Sequence, residues 1–173
     1  AISGIDATDG AASIGVGSYY SMTHGIAANG GGSNVNEFTL LYDIKFPASS
    51  VGWKCLYQTA TSNNNDGDAF INHAGNIGVY STQYTANTLS ADTWYRVVFS
   101  VDNGNFYRIY VDGTLWLEGT AAPVDGRTSL ESALLIFADN NSEDNEMHVS
   151  NVAIWDSLLD ASDIAALDVA GSN

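Results

Sequence analysis

The stretch TWYRVVFSVDNGNFYRIYVDGTLWLEG, residues 93–119, contains three apolar runs separated by turn signals. Aromatic and β-branched residues dominate each run, a composition typical of β-strands. Asp112 and Gly113 lie between the second and third runs, and an Asp-Gly pair favours the positive φ angles of a tight hairpin turn. The stretch therefore predicts neighbouring antiparallel strands.

Similar runs separated by turn residues recur along the chain, and this spacing is typical of a β-sandwich. They are FTLLYDIKFP (38–47), WKCLYQTA (53–60), DAFINHAG (68–75), NIGVYS (76–81), ALLIFAD (133–139) and MHVSNVAIWD (147–156). In the first run, alternate apolar residues from Phe38 to Phe46 predict one core face and one partly solvated face. NHAGNIG (72–78) predicts a second hairpin turn. SIGVGSYYSM (13–22) predicts a single opening strand, and HGIAANGGGSN (24–34) a loop too polar to pack.

One helix is expected near the end of the chain, in DASDIAAL at residues 160–167. Asp160 or Ser162 can cap its first turn, while Ile164 and Leu167 supply apolar contacts one turn apart. We expect this helix to cover one end of the sandwich.

Composition excludes several classes of partner. Among 173 residues, 5 Lys and Arg stand against 20 Asp and Glu, which gives a net charge of −15. Nucleic acids and anionic membrane surfaces require a basic footprint, and no apolar run approaches the roughly 18 residues of a membrane span.

Cys55 has no partner for an internal disulfide and lies in a strand-like run, which indicates a buried position. We expect a single domain over residues 1–173, and the low charge and many Asn and Gly residues favour an extracellular protein secreted by a bacterium.

Two longer stretches carry a resemblance to a known family. LSADTWYRVVFSVDNGNFYRIYVDGTLWLEG (89–119) and HVSNVAIWDSLLDASDIAAL (148–167), extended backwards by DGDAFINHAGNIGVY (66–80), resemble the laminin-G-like branch of the concanavalin A-like jelly rolls. The resemblance implies an all-β, two-sheet antiparallel jelly-roll sandwich with one short C-terminal helix. It also implies a calcium ion held by loops at one edge, and a ligand on the loops or the concave sheet. The fold hosts lectins, carbohydrate-binding modules, adhesion domains and polysaccharide-cleaving enzymes.

The polar block DNNSEDNE (139–146), between two predicted strands, is the expected calcium site. Calcium binds six to eight oxygen atoms in flexible geometry, and crowded carboxylates supply them. A second acidic loop, SNNNDGDAF (62–70), is expected to close the same site. The predicted ligands are Asp139, Asn141, Glu143, Asp144, Glu146, Asp66 and Asp68. The alternatives are a solvated loop with Asx turns for the block, and an ordinary turn for the second loop.

Sugar binding requires exposed aromatic faces beside groups that hydrogen-bond hydroxyls. The aromatic candidates near predicted loops or the less apolar face are Trp53, Tyr80, Tyr84 and Trp116. Packing in the core is the alternative for each of them. Arg127 is a further candidate because cations are scarce; it either pairs with Asp125 or meets an acidic sugar.

Catalysis is not expected. Glucan hydrolases of this fold resemble one another in a Glu-x-Asp-x-x-Glu strand whose carboxylates share one cleft. The nearest match is NEMHVSN (145–151), in which His148 and Ser150 follow Glu146. The sequence therefore predicts a non-catalytic, calcium-stabilised carbohydrate-binding module. It would bind a polysaccharide or oligosaccharide, with a covalently linked catalytic domain as its partner. A calcium-dependent protein-binding or adhesion module is the alternative, and a lyase or hydrolase of the same fold ranks third.

Overall fold

The computed structural model describes residues 2–5, 9–62, 67–80, 82–139 and 143–167, and this part of the chain forms two antiparallel sheets and one helix. The elements are β1 (Ile2–Ser3), β2 (Gly10–Ile14), β3 (Tyr20–Thr23), β4 (Glu37–Lys45), β5 (Lys54–Gln58), β6 (Ala69–Ile71), β7 (Ile77–Val79), β8 (Gln83–Tyr84), β9 (Tyr95–Asp102), β10 (Phe106–Val111), β11 (Thr114–Gly119), β12 (Ala133–Ile136), β13 (Met147–Trp155) and α1 (Ala161–Ala166). The seven-stranded sheet has the order β1-β2-β13-β4-β9-β10-β11, and the six-stranded sheet β3-β12-β5-β6-β7-β8. The predicted two-sheet jelly-roll sandwich is confirmed.

Local turn chemistry explains the hairpins. Asp112 and Gly113 have φ angles of 47° and 72°, and Val111 pairs with Thr114 across the turn, as the Asp-Gly signal predicts. The hairpin between β6 and β7 is also confirmed, with Ile71 opposite Ile77.

The single strand predicted over residues 13–22 is wrong. The chain turns between Gly15 and Ser18, whose amide N–H donates to the Gly15 carbonyl at 2.9 Å, and Gly17 has a φ of 79°. The turn separates β2, which pairs with β13, from β3, which pairs with β12 in the other sheet. Gly15, Gly17 and Ser18 permit this change of sheet, because glycine adopts the backbone angles that the turn requires.

The main core lies between the sheets. Alternate residues of β4, from Phe38 to Ile44, point into it and are fully buried, as predicted for one face. Tyr57 and Tyr107 meet across the core, with their hydroxyl oxygens 2.5 Å apart. This hydrogen bond joins the two sheets within an otherwise apolar layer.

A second apolar cluster covers the outer face of the seven-stranded sheet. Ile164 of α1 packs there against Leu41, Val98 and Tyr110. The helix therefore covers a sheet face, and the prediction that it covers an end of the sandwich is wrong. The partly solvated face predicted for β4 is also wrong, because Asp43 on that face is buried. Asp160 caps the helix by accepting hydrogen bonds from backbone N–H groups in its first turn. Among the described residues no helix is long and apolar enough to cross a membrane.

A hydrogen-bond network fastens the loop before β4, which the sequence predicts to be too polar to pack. The Asn36 side chain is fully buried, and its Oδ1 accepts hydrogen bonds from the Asp125 N–H at 2.8 Å and the Ser129 hydroxyl at 2.9 Å. The Asp125 carboxylate accepts from the Ser33 N–H at 2.7 Å. The loop predicted over residues 24–34 is confirmed, and none of its residues is buried. The network pairs the polar groups that are buried where this loop joins β4, as buried polar groups normally require.

Candidate functional site

The outer face of the six-stranded sheet carries a row of four residues, one from each of the neighbouring strands β5 to β8. Cys55 pairs with Phe70, Phe70 with Gly78, and Gly78 with Tyr84. Their neighbours Ile71, Ile77 and Val79 belong to the main core. Because side chains alternate between the two faces of a strand, this row points away from the core.

Trp53 completes an aromatic cluster on this face. Its ring centroid lies 5.5 Å from that of Phe70, 6.0 Å from that of Tyr84 and 5.4 Å from that of His73, all in edge-to-face geometry. Such pairs hold rings in fixed orientations. Trp53 and Tyr84 are half-buried, so the cluster is partly accessible.

Gly78 makes room for Tyr84 in this cluster. A Cβ atom built at Gly78 would lie 2.8 Å from Cγ of Tyr84 and 2.2 Å from the Gln83 carbonyl oxygen. Only a residue without a side chain allows the Tyr84 ring to lie across β7. The position of the ring therefore depends on this glycine.

Carboxylates flank the cluster. Burial raises the pKa of the Tyr84 hydroxyl to about 12, and the carboxylates of Glu143 and Asp68 add to this rise. Asp68 directly precedes β6. The structure thus brings Trp53 and Tyr84, predicted to bind sugar, close to two predicted calcium ligands, Glu143 and Asp68.

Two hydrogen bonds hold the polar block beside Trp53. The Cys55 N–H donates to the Glu143 carbonyl at 3.2 Å, and the Asn145 amide donates to the Trp53 carbonyl at 3.0 Å. Asp139 is buried, and its Oδ1 accepts from the Glu143 N–H at 2.8 Å. Burial, and then the charge of Asp139 and a hydrogen bond with it, raise the pKa of the Glu143 carboxyl.

The other two carboxylates of the block have partners on a different part of the molecule. The Gly17 N–H donates to Oδ2 of Asp144 at 2.5 Å. The Ser13 hydroxyl donates to Oε1 of Glu146 at 3.3 Å, and Nε2 of His148 lies 3.4 Å from the same oxygen. Ser13 belongs to β2, and Gly17 lies in the turn that follows β2. The block therefore divides into an Asp139–Glu143 pair and an Asp144–Glu146 side.

The described residues contain no group of three or more His, Cys, Asp or Glu side chains placed to hold a metal ion. Two of the predicted ligands, Asp66 and Asn141, lie outside the described residues. The Asp139–Glu143 pair provides two of the hard oxygen donors that calcium prefers.

The remaining predicted binding residues are Tyr80, Trp116 and Arg127. Tyr80 is 87% exposed at the end of β7, two residues after Gly78. Trp116 packs against the main core. The Arg127 carbonyl accepts a hydrogen bond from the Thr59 hydroxyl at 3.0 Å, which places its backbone at the other end of β5 from Trp53.

Phe70 and His73 belong to the aromatic cluster but are not among the predicted site residues. A signal for Phe70 is present in the sequence, because it alternates with Ala69 and Ile71, which face the core. His73 has no comparable signal, since its contact with Trp53 joins residues twenty positions apart through the β6–β7 turn.

The chain belongs to the concanavalin A-like lectin/glucanases superfamily, whose Laminin_G_3 family model matches residues 23–165. No curated protein matches the chain in sequence.

Solved structures share the fold at low sequence identity. The binding domain of botulinum neurotoxin serotype D is 14% identical with a TM-score of 0.67, over 91% of this chain and 41% of that chain. Trypanosoma rangeli sialidase is 17% identical with a TM-score of 0.62, over 77% of this chain and 22% of that chain. The chain thus corresponds to less than half the length of either protein. The fold occurs both in toxin binding domains and in a sialidase.

Proposed function

We propose that the chain is a non-catalytic carbohydrate-binding module that binds a glycan on the outer face of the six-stranded sheet. The observation that carries this proposal is the cluster of Trp53, Phe70 and Tyr84 with Asp68 and Glu143 beside it. Aromatic rings pack against the apolar faces of sugars, and carboxylates accept hydrogen bonds from sugar hydroxyls.

The proposed setting is a secreted bacterial protein in which the module holds a linked catalytic domain near its polysaccharide. Attachment raises the effective concentration of the glycan without requiring a high affinity at a single site. The likeness in fold to a toxin binding domain is in line with a binding role.

Calcium is proposed to bind beside this face. Support comes from Asp139 and Glu143. Burial, and then the charge of Asp139, raises the pKa of the Glu143 carboxyl, and a cation would stabilise both ionised groups. Asn141, Asp66 and Asp68 are the proposed further ligands. The ion would supply positive charge that holds the two loops together, because it interacts with oxygen atoms from both.

Binding to a panel of soluble polysaccharides, measured by affinity electrophoresis and calorimetry with calcium present, tests the proposal. Trp53→Ala should weaken binding of the responding glycan at least tenfold, because truncating an aromatic anchor typically costs about 1.4 kcal/mol or more. Phe106→Ala is the matched control, since this half-buried ring lies on the seven-stranded sheet under Arg108. Circular dichroism establishes that both variants fold.

Three outcomes would contradict parts of the proposal. Equal binding by native protein and the Trp53 variant would exclude this face as the glycan site. A panel without any response would overturn carbohydrate binding and favour the protein-binding alternative. Release of new reducing ends or unsaturated products would overturn the non-catalytic assignment.

A further inference from the structure

A pocket of about 190 Å³ adjoins the aromatic cluster, between the loop that follows β4 and the turn that joins β6 to β7. This volume is far above the roughly 15 Å³ that one water molecule needs. His73 lines the pocket and also contacts the Trp53 ring, with centroids 5.4 Å apart. His73 therefore lies between the pocket and the proposed glycan face.

Lys54 lines this pocket as a buried cation. It is 2% exposed, its Nζ donates to the Gly52 carbonyl at 2.9 Å, and the Phe46 ring centroid lies 4.6 Å from the same atom. None of the ion pairs formed within the described part of the chain includes Lys54. Burial lowers the pKa of its ammonium group. A buried ammonium is normally neutralised by a carboxylate, because its transfer out of water is costly.

Ser50 supplies a second unused donor in the same pocket. Its side chain is 6% exposed, and its hydroxyl has no hydrogen-bond partner within the described residues. Buried hydroxyls are normally paired, and Ser50 lines the pocket, so its hydroxyl can donate a hydrogen bond to a group that enters. Nδ1 of His73 is hydrogen-bonded to the Val51 carbonyl at 2.9 Å, which fixes the ring at the mouth.

The charge of the lining contrasts with that of the whole molecule. The chain carries a net charge of −15, yet no Asp or Glu is among the described residues that line this pocket. Lys54 therefore supplies the ammonium charge of the lining, which would attract a single carboxylate. A polyanion would also meet the acidic surface around the pocket, which repels it.

We propose that this pocket binds the carboxylate of an acidic sugar, with Lys54 Nζ as its charge partner and the Ser50 hydroxyl as a second donor. The inference rests on the proposed function, because the sugar ring would continue onto the Trp53 cluster. It specifies a glycan that carries isolated uronic acid residues, or one at a chain end.

NMR of the full chain labelled with ¹³C-lysine tests this proposal directly. The sequence contains two lysines, Lys45 and Lys54, so each gives a resolved ε-methylene signal and Lys45 serves as an internal control. The probes are D-glucuronate and D-galacturonate, their neutral counterparts D-glucose and D-galactose, and acetate. At least one uronate should shift the Lys54 signal saturably, with affinity at least tenfold higher than acetate and the neutral sugars. Lys45 should not respond.

Variants separate the charge from the fold. Lys54→Met should abolish the uronate response in amide spectra, whereas Lys45→Met should retain it. If Lys54→Met does not fold, Ser50→Ala serves instead and should weaken uronate binding several-fold. A uronate response that survives in either variant would overturn the assignment of its residue.

Failure of this inference differs from failure of the proposed function. A glycan that binds through Trp53 while no uronate moves Lys54 would overturn the carboxylate pocket alone. Equal responses to acetate and to the uronates would overturn the acidic-sugar assignment and leave a small-anion site. A uronate response at Lys54 without any effect of Trp53→Ala on glycan binding would support the pocket and contradict the glycan face.

Discussion

Arg96 and Asp43 form a bidentate ion pair on the outer face of the seven-stranded sheet. Nε of Arg96 lies 2.8 Å from Oδ1 of Asp43, and Nη2 lies 2.8 Å from Oδ2. Both side chains are at most 4% exposed. Nη1 of Arg96 donates to the Leu167 carbonyl, so the pair also ties the end of helix α1 to β9.

Replacement of Arg96 by Met should destabilise the protein strongly, because Asp43 would remain as an uncompensated buried charge. Breaking a buried pair in this way costs about 3–5 kcal/mol, and a loss of about 3 kcal/mol lowers the melting temperature of a chain of this size by roughly 6–12 °C. Arg108→Met is the matched control, since Arg108 and Glu118 form a pair whose side chains are 33% and 54% exposed. It should cost less than about 1 kcal/mol, and equal losses in both variants would contradict the prediction.

The Tyr57–Tyr107 hydrogen bond should be energetically coupled. Tyr57→Phe leaves the buried Tyr107 hydroxyl without its partner, which should reduce the free energy of unfolding by about 1–2 kcal/mol. The double variant should lose less than the sum of the two single variants, as urea denaturation can measure. Tyr42→Phe is the control for loss of a hydroxyl, because the Tyr42 hydroxyl is buried without a hydrogen-bond partner in the described structure. That variant should be neutral or more stable; additive losses at Tyr57 and Tyr107 would exclude coupling.

Asp125 should make the fold sensitive to acid. Hydrogen bonds from the Asn36 side chain and from the Ser33 and Asn34 backbone lower the pKa of its carboxyl. The ionised form therefore stabilises the fold above the ordinary Asp pKa, and this stabilisation disappears as the pH falls through the lowered value. Asp125→Asn should reduce the urea midpoint at neutral pH and approach the native midpoint in strong acid. A constant difference at every pH would contradict this cause, and Glu118→Gln controls for removal of an exposed charge.

Glu143 should destabilise the calcium-free protein at neutral pH. Its pKa is raised, so the folded state binds the proton more tightly and stability falls as the pH rises through that pKa. Glu143→Gln should therefore raise the melting temperature in chelator, and it should reduce the additional rise that calcium produces in the native protein.

The same melting experiment has a matched control in Glu118→Gln, which leaves the Asp139–Glu143 pair intact. An unchanged calcium response after Glu143→Gln would exclude Glu143 as a ligand. No calcium response in native protein would leave the polar block as a solvated loop.

Local patterns were sufficient to predict most strands and both hairpins. The alternation from Phe38 to Ile44 places one side of β4 in the core, and Asp112 and Gly113 form the predicted turn. The other side of β4 was mispredicted because its cover comes from α1, more than a hundred residues later. A period of two residues distinguishes the two faces of a strand and carries no information about what covers each face.

The candidate site was predicted only in part. The sequence indicates a cluster of carboxylates between two strands, but not that Asp139 stays with Glu143 while Asp144 bonds to Gly17. It also does not distinguish Trp53, which joins the outer aromatic cluster, from Trp116, which packs against the core. These differences arise from contacts between residues distant in sequence.

The all-β class, most of the strands and the acidic character of the surface follow from the sequence alone, because these depend on composition and on local backbone preferences. The tertiary structure decided which side chains meet. Lys54 lies in the run WKCLYQ without any local sign of burial, yet strand pairing places it at a pocket with Ser50 and His73. Strand register and loop docking bring such residues together, and both are set by the packing of the whole sandwich.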